Sequence, residues 1–142
     1  MQDKKTMTIY CCGCLKDVQP RLTNGAEIHP HRRDLHHLPF WKCDACNNYV
    51  GCHHKTRTPT KPLGNIPTRE IMRARGHIHA LLDPIWKSGM ARRGKVYTLI
   101  AQKIGKGYHT GEIKTLDEAR EIYRVIREIK SQLSQGECHA GH

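Results

Sequence analysis

Residues 40–56, FWKCDACNNYVGCHHKT, pack three cysteines and two histidines into one short run. Disulfide partners, a metal cage and a nuclease-like site are the three readings open to it. Cys43-Asp44-Ala45-Cys46 is a C-x-x-C pair, and Cys11-Cys12-Gly13-Cys14 contains another. Two such pairs are the usual source of a tetrahedral tetrathiolate zinc site, because each short loop lets both sulfurs point at one ion. Cys11, Cys14, Cys43 and Cys46 are therefore the expected Zn2+ ligands. Cys12 competes with Cys11 or Cys14, and Cys52 or His53 is close enough to replace a weak ligand. Cys52 otherwise reads as a small buried apolar side chain. The insert of 28 residues between the pairs, 15–42, exceeds the commonest spacing of about 15–20. It must fold back as a hairpin or loop for the pairs to meet.

The bulk composition supports a metal over disulfides. Seven cysteines is an odd number. The first twelve residues, MQDKKTMTIYCC, lack the apolar centre of a signal peptide. No run approaches the roughly 18–20 apolar residues of a spanning helix. The expected compartment is the reducing cytoplasm of a bacterial host cell, where close-spaced cysteines hold metal more often than they form disulfides. With 142 residues and 37% hydrophobic content, the chain builds only a small core, and a bound ion would stand in for part of it. A zinc site with four thiolates and no open position staples a fold without doing chemistry.

Charge divides the chain unevenly. Residues 1–53 hold seven Lys/Arg against five Asp/Glu, a net +2; residues 54–108 hold twelve against two, a net +10; residues 109–142 hold five against six, a net −1. The middle third is the cationic surface. Within it, residues 55–66 combine Pro, Gly and basic side chains, which reads as a linker or an extended basic arm.

Short strands and turns are expected up to residue 54, with AEI (26–28), PFWK (39–42) and YVGC (49–52) as strand candidates. Helices follow. Ile71, Ala74, Ile78, Leu81, Leu82 and Ile85 fall on one helical stripe, with Asp83-Pro84 expected to kink it or start a new short helix. A second helix over about 91–104 turns Val96, Leu99, Ile100 and Ile104 inward, with Gly105 as its cap. Residues 115–118, TLDE, form a capping box ahead of Ala119, Ile122, Ile126, Ile129 and Leu133, and that helix is expected to end before Gly136. The fold class is small α+β: a zinc ribbon or treble-clef-like N-terminal module followed by a three-helix C-terminal part. The boundaries are 1–54 for the zinc module, 55–66 for the basic linker, 67–135 for helices packed on it, and 136–142 for a flexible tail carrying Cys138, His139 and His142.

The runs YCCGC, EIHPHRRDL, FWKCDACNNYVGCH, PLG, LLDPIW, YTLIAQKIG and HTGEIKTLDEAREIYRVI together resemble the zinc-finger-containing domain family of phage and prophage proteins, whose function is uncharacterised. The resemblance spans about residues 8–128. Its most specific part runs from Arg33-Asp34-Leu35 through Phe40-Trp41 to Cys52-His53. It implies a phage or bacterial origin and a zinc fold, maps the family's cysteine pairs onto Cys11, Cys14, Cys43 and Cys46, and implies no activity. Leu15 stands where the family's first knuckle usually has Gly.

Three function classes follow. The leading one is a nucleic-acid-binding module, with DNA expected ahead of RNA. It would contact phosphates through Arg32, Arg33, Lys55, Arg57, Lys61, Arg69, Arg73, Arg92, Arg93 and Lys95, with Arg75 in the same cationic segment. The bland reading is a solvated surface. Trp41 and Tyr49 are the aromatics available for base stacking, although Trp41 beside a ligand also reads as packing over the metal. The second class is a metal-dependent endonuclease of the His-Asn-His type, with His29, His31 and His53 as candidates for water activation and Glu27 or Asp34 as carboxylates. Against it, the usual Asp-His pair is missing. The third is an adaptor binding a host protein through the neutral C-terminal helix.

Overall fold

Short antiparallel hairpins frame both cysteine pairs. A computed structural model describes residues 6–140, with side chains through residue 135, and the chain divides into two units, Met1–Arg69 and Glu70–His142. In the first, β1 (Ile9–Cys11) pairs with β2 (Lys16–Val18), matching Ile9 to Val18 and Cys11 to Lys16. A separate sheet orders β3 (Arg21–Asn24), β4 (Pro39–Lys42) and β5 (Tyr49–Gly51), with Leu22 opposite Trp41 and Trp41 opposite Val50. The long insert thus folds back as the β3–β4 pair. The PFWK and YVG strands stand as expected.

The AEI segment is a correction: it lies in a one-turn helix, α1 (Gly25–Ile28), not in a strand. Asn24 decides this. Its side-chain oxygen accepts from the backbone N–H groups of Ala26 and Glu27, an N-cap that removes two donors from any sheet ladder. A 3-10 turn, Arg33–Leu35, then returns the chain. The return passes so close that a Cβ on Gly25 would sit 1.7 Å from the Leu35 carbonyl oxygen.

Residues 55–66 are not a linker. Ile66 is fully buried, accepts from the Cys12 N–H at 2.8 Å and donates to the Tyr10 carbonyl at 2.9 Å. Leu63 donates to Gly51, His53 donates to Lys61, and the Trp41 indole donates to the Thr60 carbonyl at 2.7 Å. The segment is stitched to β1 at one end and to β5 at the other, so this unit runs on to Arg69. Its core is Ile9, Cys11, Trp41, Cys43, Val50, Cys52 and Ile66.

The second unit is helical: α2 (Arg69–Lys87), α3 (Arg93–Ile104) and α4 (Leu116–Ala140). The apolar stripes read from sequence are its core, with Ile78, Leu82, Ile85, Val96, Ile100, Ile122, Ile126 and Ile129 all buried. α2 runs unbroken through Pro84. Proline inside a helix costs about 3 kcal/mol. Burying Leu82 and Ile85, both fully enclosed, returns roughly 1.5–3 kcal/mol each. Pro84 itself faces solvent near the helix end, where the lost hydrogen bond meets water. The capping box is present: the Glu118 N–H donates to Thr115 Oγ1 at 3.0 Å, and Glu118 Oε1 accepts from Lys114 N at 2.9 Å. α4 extends past Gly136. His142 and the side chains of Cys138 and His139 lie outside the described residues.

Gly25→Ala should therefore destabilise the full chain by about 1–3 kcal/mol, the usual cost of forcing extra atoms into a closed contact. Chemical denaturation reads this as a lower midpoint; an unchanged midpoint would mean that the Leu35 turn moves aside freely.

Candidate metal centre

The two cysteine pairs sit in the turns of two hairpins, and each turn is built the same way. The Leu15 N–H donates to the Cys11 carbonyl at 2.8 Å; the Asn47 N–H donates to the Cys43 carbonyl at 2.7 Å. The residue after each second cysteine then lies in the left-handed region, Leu15 at φ 60° and Asn47 at φ 64°. This is the conformation that glycine usually supplies at such a turn. Asn tolerates it; Leu does so at a cost of about 1–2 kcal/mol. Leu15 therefore keeps the turn geometry and carries strain, with its side chain 73% exposed.

Folding brings Cys11, Cys14, Cys43 and Cys46 together. All four sulfurs lie within 4.8 Å of one another. Cys11 Sγ is 3.4 Å from Cys46 Sγ, and Cys14 Sγ is 3.6 Å from Cys43 Sγ. Four sulfurs at about 2.3 Å from a shared tetrahedral centre would be roughly 3.8 Å apart, so the set fits one metal ion. Gly13 lets the turns approach: a Cβ there would meet Asn48 Nδ2 at 2.5 Å and Cys46 Sγ at 3.2 Å. Asn48 Nδ2 donates to Cys46 Sγ at 3.2 Å, as an outer-shell group does when it orients a ligand.

The electrostatics call for a cation. Burial pushes the Cys11 thiol up to about 12, against the pull of the Cys14 and Gly13 backbone N–H groups. Cys14 is raised chiefly by its contact with Cys43, then by burial. At Cys43 burial is again the largest influence and raises it, yet the Cys46 and Ala45 backbone N–H groups and the neighbouring sulfurs bring it below its ordinary value. Four thiolates in so small a space are tolerable only around a positive ion, which also holds them deprotonated. Bound there, a metal would cross-link the two hairpins; four protein ligands leave no position for water or substrate.

Residues 6–132 match the zinc-finger-containing domain family. The chain belongs to that family. No curated protein and no solved structure matches it. In this zinc-finger-containing chain, the two cysteines outside the cluster with described side chains, Cys12 and Cys52, are both buried. Cys52 is buried beside Pro62, and burial pushes its thiol up to about 11.

The other candidate residues distribute as follows. The His29 ring packs edge-on against Phe40 and Tyr49, with centroids 5.4 and 5.5 Å away. His31 and His53 are exposed. Glu27 is engaged by Arg21, Thr23 and Lys42, which hold its carboxyl well below the usual range, and Asp34 is held down by Arg32. Among the described residues, the four cysteines are the one group of three or more such side chains placed to share an ion.

Arg32 turns the Nε–Nη2 edge of its guanidinium to Asp34, at 3.0 and 2.7 Å. Arg75 is a correction to the cationic surface: it is buried and donates to the Ile113 carbonyl at 2.7 Å, tying α2 to the segment before α4. Trp41 is fully enclosed, so its ring is not offered to a base. Arg33, Lys55, Arg57, Lys61, Arg69, Arg73, Arg92, Arg93 and Lys95 are all exposed. The sequence reading overlooked Trp86 and Tyr97, which carry Arg93 over their rings at 5.3 and 5.6 Å. The signal was there in Trp86-Lys87 followed by Arg92-Arg93, an aromatic set among cations.

Elemental analysis of the purified chain should find one metal ion per molecule, and Cys14→Ser or Cys46→Ser should lower that below stoichiometry. Stripping the ion with a chelator should erase the near-ultraviolet signal of Trp41. Leu15→Gly should raise the unfolding free energy by about 0.5–1 kcal/mol, read as a higher denaturation midpoint, because it removes left-handed strain and loses no packing.

Proposed function

We propose that this chain is a zinc-stabilised nucleic-acid-binding protein, of the phage or prophage type that its motifs resemble, gripping DNA or RNA phosphates with the cations of residues 55–95. Zinc is the ion that four thiolates in a closed tetrahedral set select over hard cations. The observation that carries the binding reading is how the cations are used. Arg21 and Lys42 are matched by Glu27 and Asp44, Arg32 by Asp34, Lys103 by Glu128, Lys106 by Glu118 and Arg120 by Asp117. Among the described residues, no ion pair engages Lys55, Arg57, Lys61, Arg69, Arg73, Lys87, Arg92, Arg93 or Lys95. The ion pairs just named thus all lie outside residues 55–95. Among the described residues, Lys16, Arg33, Arg124, Arg127 and Lys130 outside that stretch also lack one, but the nine open cations within it are the largest such group along the chain.

Leaving them open costs something. α3 begins at Arg92 and Arg93, followed by Lys95, with no acidic residue in its first turn. Positive side chains at a helix N-terminus oppose its dipole by about 0.3–1 kcal/mol each. A phosphate alongside would turn that repulsion into attraction. Lys55, Arg57 and Lys61 stand on a loop whose hydrogen bonds to β5 hold it in shape, so they act as a fixed cationic loop and not as a free arm.

Binding of the full, metal-loaded chain to mixed-sequence strands should weaken steeply with salt, since each phosphate contact contributes about 0.7–0.9 to the slope of log K against log salt. The Lys55→Ala, Arg57→Ala, Lys61→Ala triple variant should flatten that slope by about two to three. Affinity indifferent to salt would reject the reading.

A further inference from the structure

Trp86 lies near the C-terminal end of α2 and Tyr97 in α3, both half-buried. Their rings meet at 6.1 Å, and Tyr97 meets the buried Tyr108 at 5.4 Å, forming a row of three. Arg93 lies over the first two, its Cζ 5.3 Å from the Trp86 centroid and 5.6 Å from that of Tyr97, and it remains exposed. Lys87, Arg92 and Lys95 are exposed near these rings in sequence and, like Arg93, have no carboxylate partner among the described residues.

Packing alone does not account for this group. Trp41 shows what the chain does with a structural tryptophan: it is fully enclosed, and its indole N–H is satisfied by Thr60. Trp86 keeps part of its ring at the surface, and its indole N–H has no protein acceptor among the described residues. Arg21, Arg32 and Arg120, by contrast, are fixed by carboxylates. Arg93 is instead held by ring faces, which leaves its charge uncompensated and its outer side open. A flat cation resting on an indole, with further cations close by in the chain, matches the two needs of an unpaired nucleotide: a surface on which the base stacks and positive charge for its phosphates.

We infer that Trp86, Arg93 and Tyr97 form a stacking platform for unpaired bases, so the nucleic acid this chain prefers is single-stranded. The inference rests on the phosphate-binding reading above and adds the base. A duplex keeps its base faces inside the stack and can use only the cations; a single strand, DNA or RNA, can use both.

The chain has two tryptophans, and only Trp86 is open to solvent, so intrinsic fluorescence reports on the platform. The full metal-loaded chain is titrated at fixed salt with a mixed-sequence 20-mer as single-stranded DNA, as single-stranded RNA and as the DNA duplex. The expected result is quenching by one or both single strands, with roughly ten-fold tighter binding than to the duplex. Comparing the two single strands shows which sugar is accepted. Trp86→Phe keeps a ring and should abolish the quenching, which assigns the signal. Trp86→Leu should bring single-strand and duplex affinities together. Should it fail to fold, Tyr97→Leu reports on the same platform and should narrow the preference too. Salt-dependent binding of equal strength to duplex and single strand, with no change in emission, would overturn the platform and leave phosphate binding standing. No salt-dependent binding to any strand would overturn both.

Discussion

Four sulfur atoms from two distant turns meet within 4.8 Å, and the N-terminal unit is arranged around that meeting. Among the described residues its buried apolar set contains only nine side chains, four of them cysteines and two of those in the cluster. Such a set is too small to offset the conformational entropy of ordering a unit of this size. A structural ion contributes on the order of 10 kcal/mol to folding in small zinc modules, enough to decide the balance. The closure also explains the shape of the insert. β3 and β4 must run antiparallel so that Cys43 returns to Cys11, and Gly13 must lack a side chain so that the second turn can approach the first.

Polar contacts then fix the second turn from outside. Arg21 binds Asp44, which lies between the two cysteines of that turn, through Nε and Nη2 at 2.9 Å each, and holds Glu27 of α1 at 2.8–2.9 Å. One arginine on β3 thus ties a metal-turn residue to the helix that closes the β3–β4 pair. This arrangement also removes Glu27 from the carboxylates that a hydrolytic site would need. Of the residues that look catalytic as letters, Glu27 and Asp34 are absorbed into ion pairs and His29 into a ring cluster, while His31 and His53 stay exposed.

Features set by local spacing were legible in the sequence. The C-x-x-C pairs, the PFWK strand, the helical stripes from Ile71 to Leu133, the Thr115 box and the Gly105 cap all depend on residues within one turn or hairpin. What was misread depends on contacts across the chain. Residues 26–28 carry strand-like letters, but the Asn24 cap outweighs them. Asp83-Pro84 looks like a break, but the buried Leu82 and Ile85 hold the helix together. Arg75 counts as surface charge by type, and only the Ile113 carbonyl, 38 residues away, shows why it is inside. Residues 55–66 look like a linker because Pro, Gly and Lys are linker residues; their partners, Gly51, Tyr10 and Trp41, are not visible from the segment itself. The four-cysteine cluster needed only spacing, whereas telling open cations from paired ones needed the fold.

The stitching of residues 55–66 joins the metal to the cationic loop. Trp41, on β4 just before Cys43, donates its indole N–H to Thr60. His53, just beyond β5, donates to Lys61. The Cys43–Cys46 turn connects β4 to β5, so the ion that fixes this turn also fixes both strands from which the loop hangs. A flexible basic arm loses conformational freedom when it meets a phosphate chain, at roughly 0.5–1.5 kcal/mol for each side chain immobilised plus the cost of ordering its backbone. Here the backbone share is met at folding, when the metal closes the hairpins. On the proposed phosphate-binding reading, a bound ion would have a second consequence beyond stability: it would present Lys55, Arg57 and Lys61 on a preformed frame, and its loss would weaken binding without removing any of the three basic side chains.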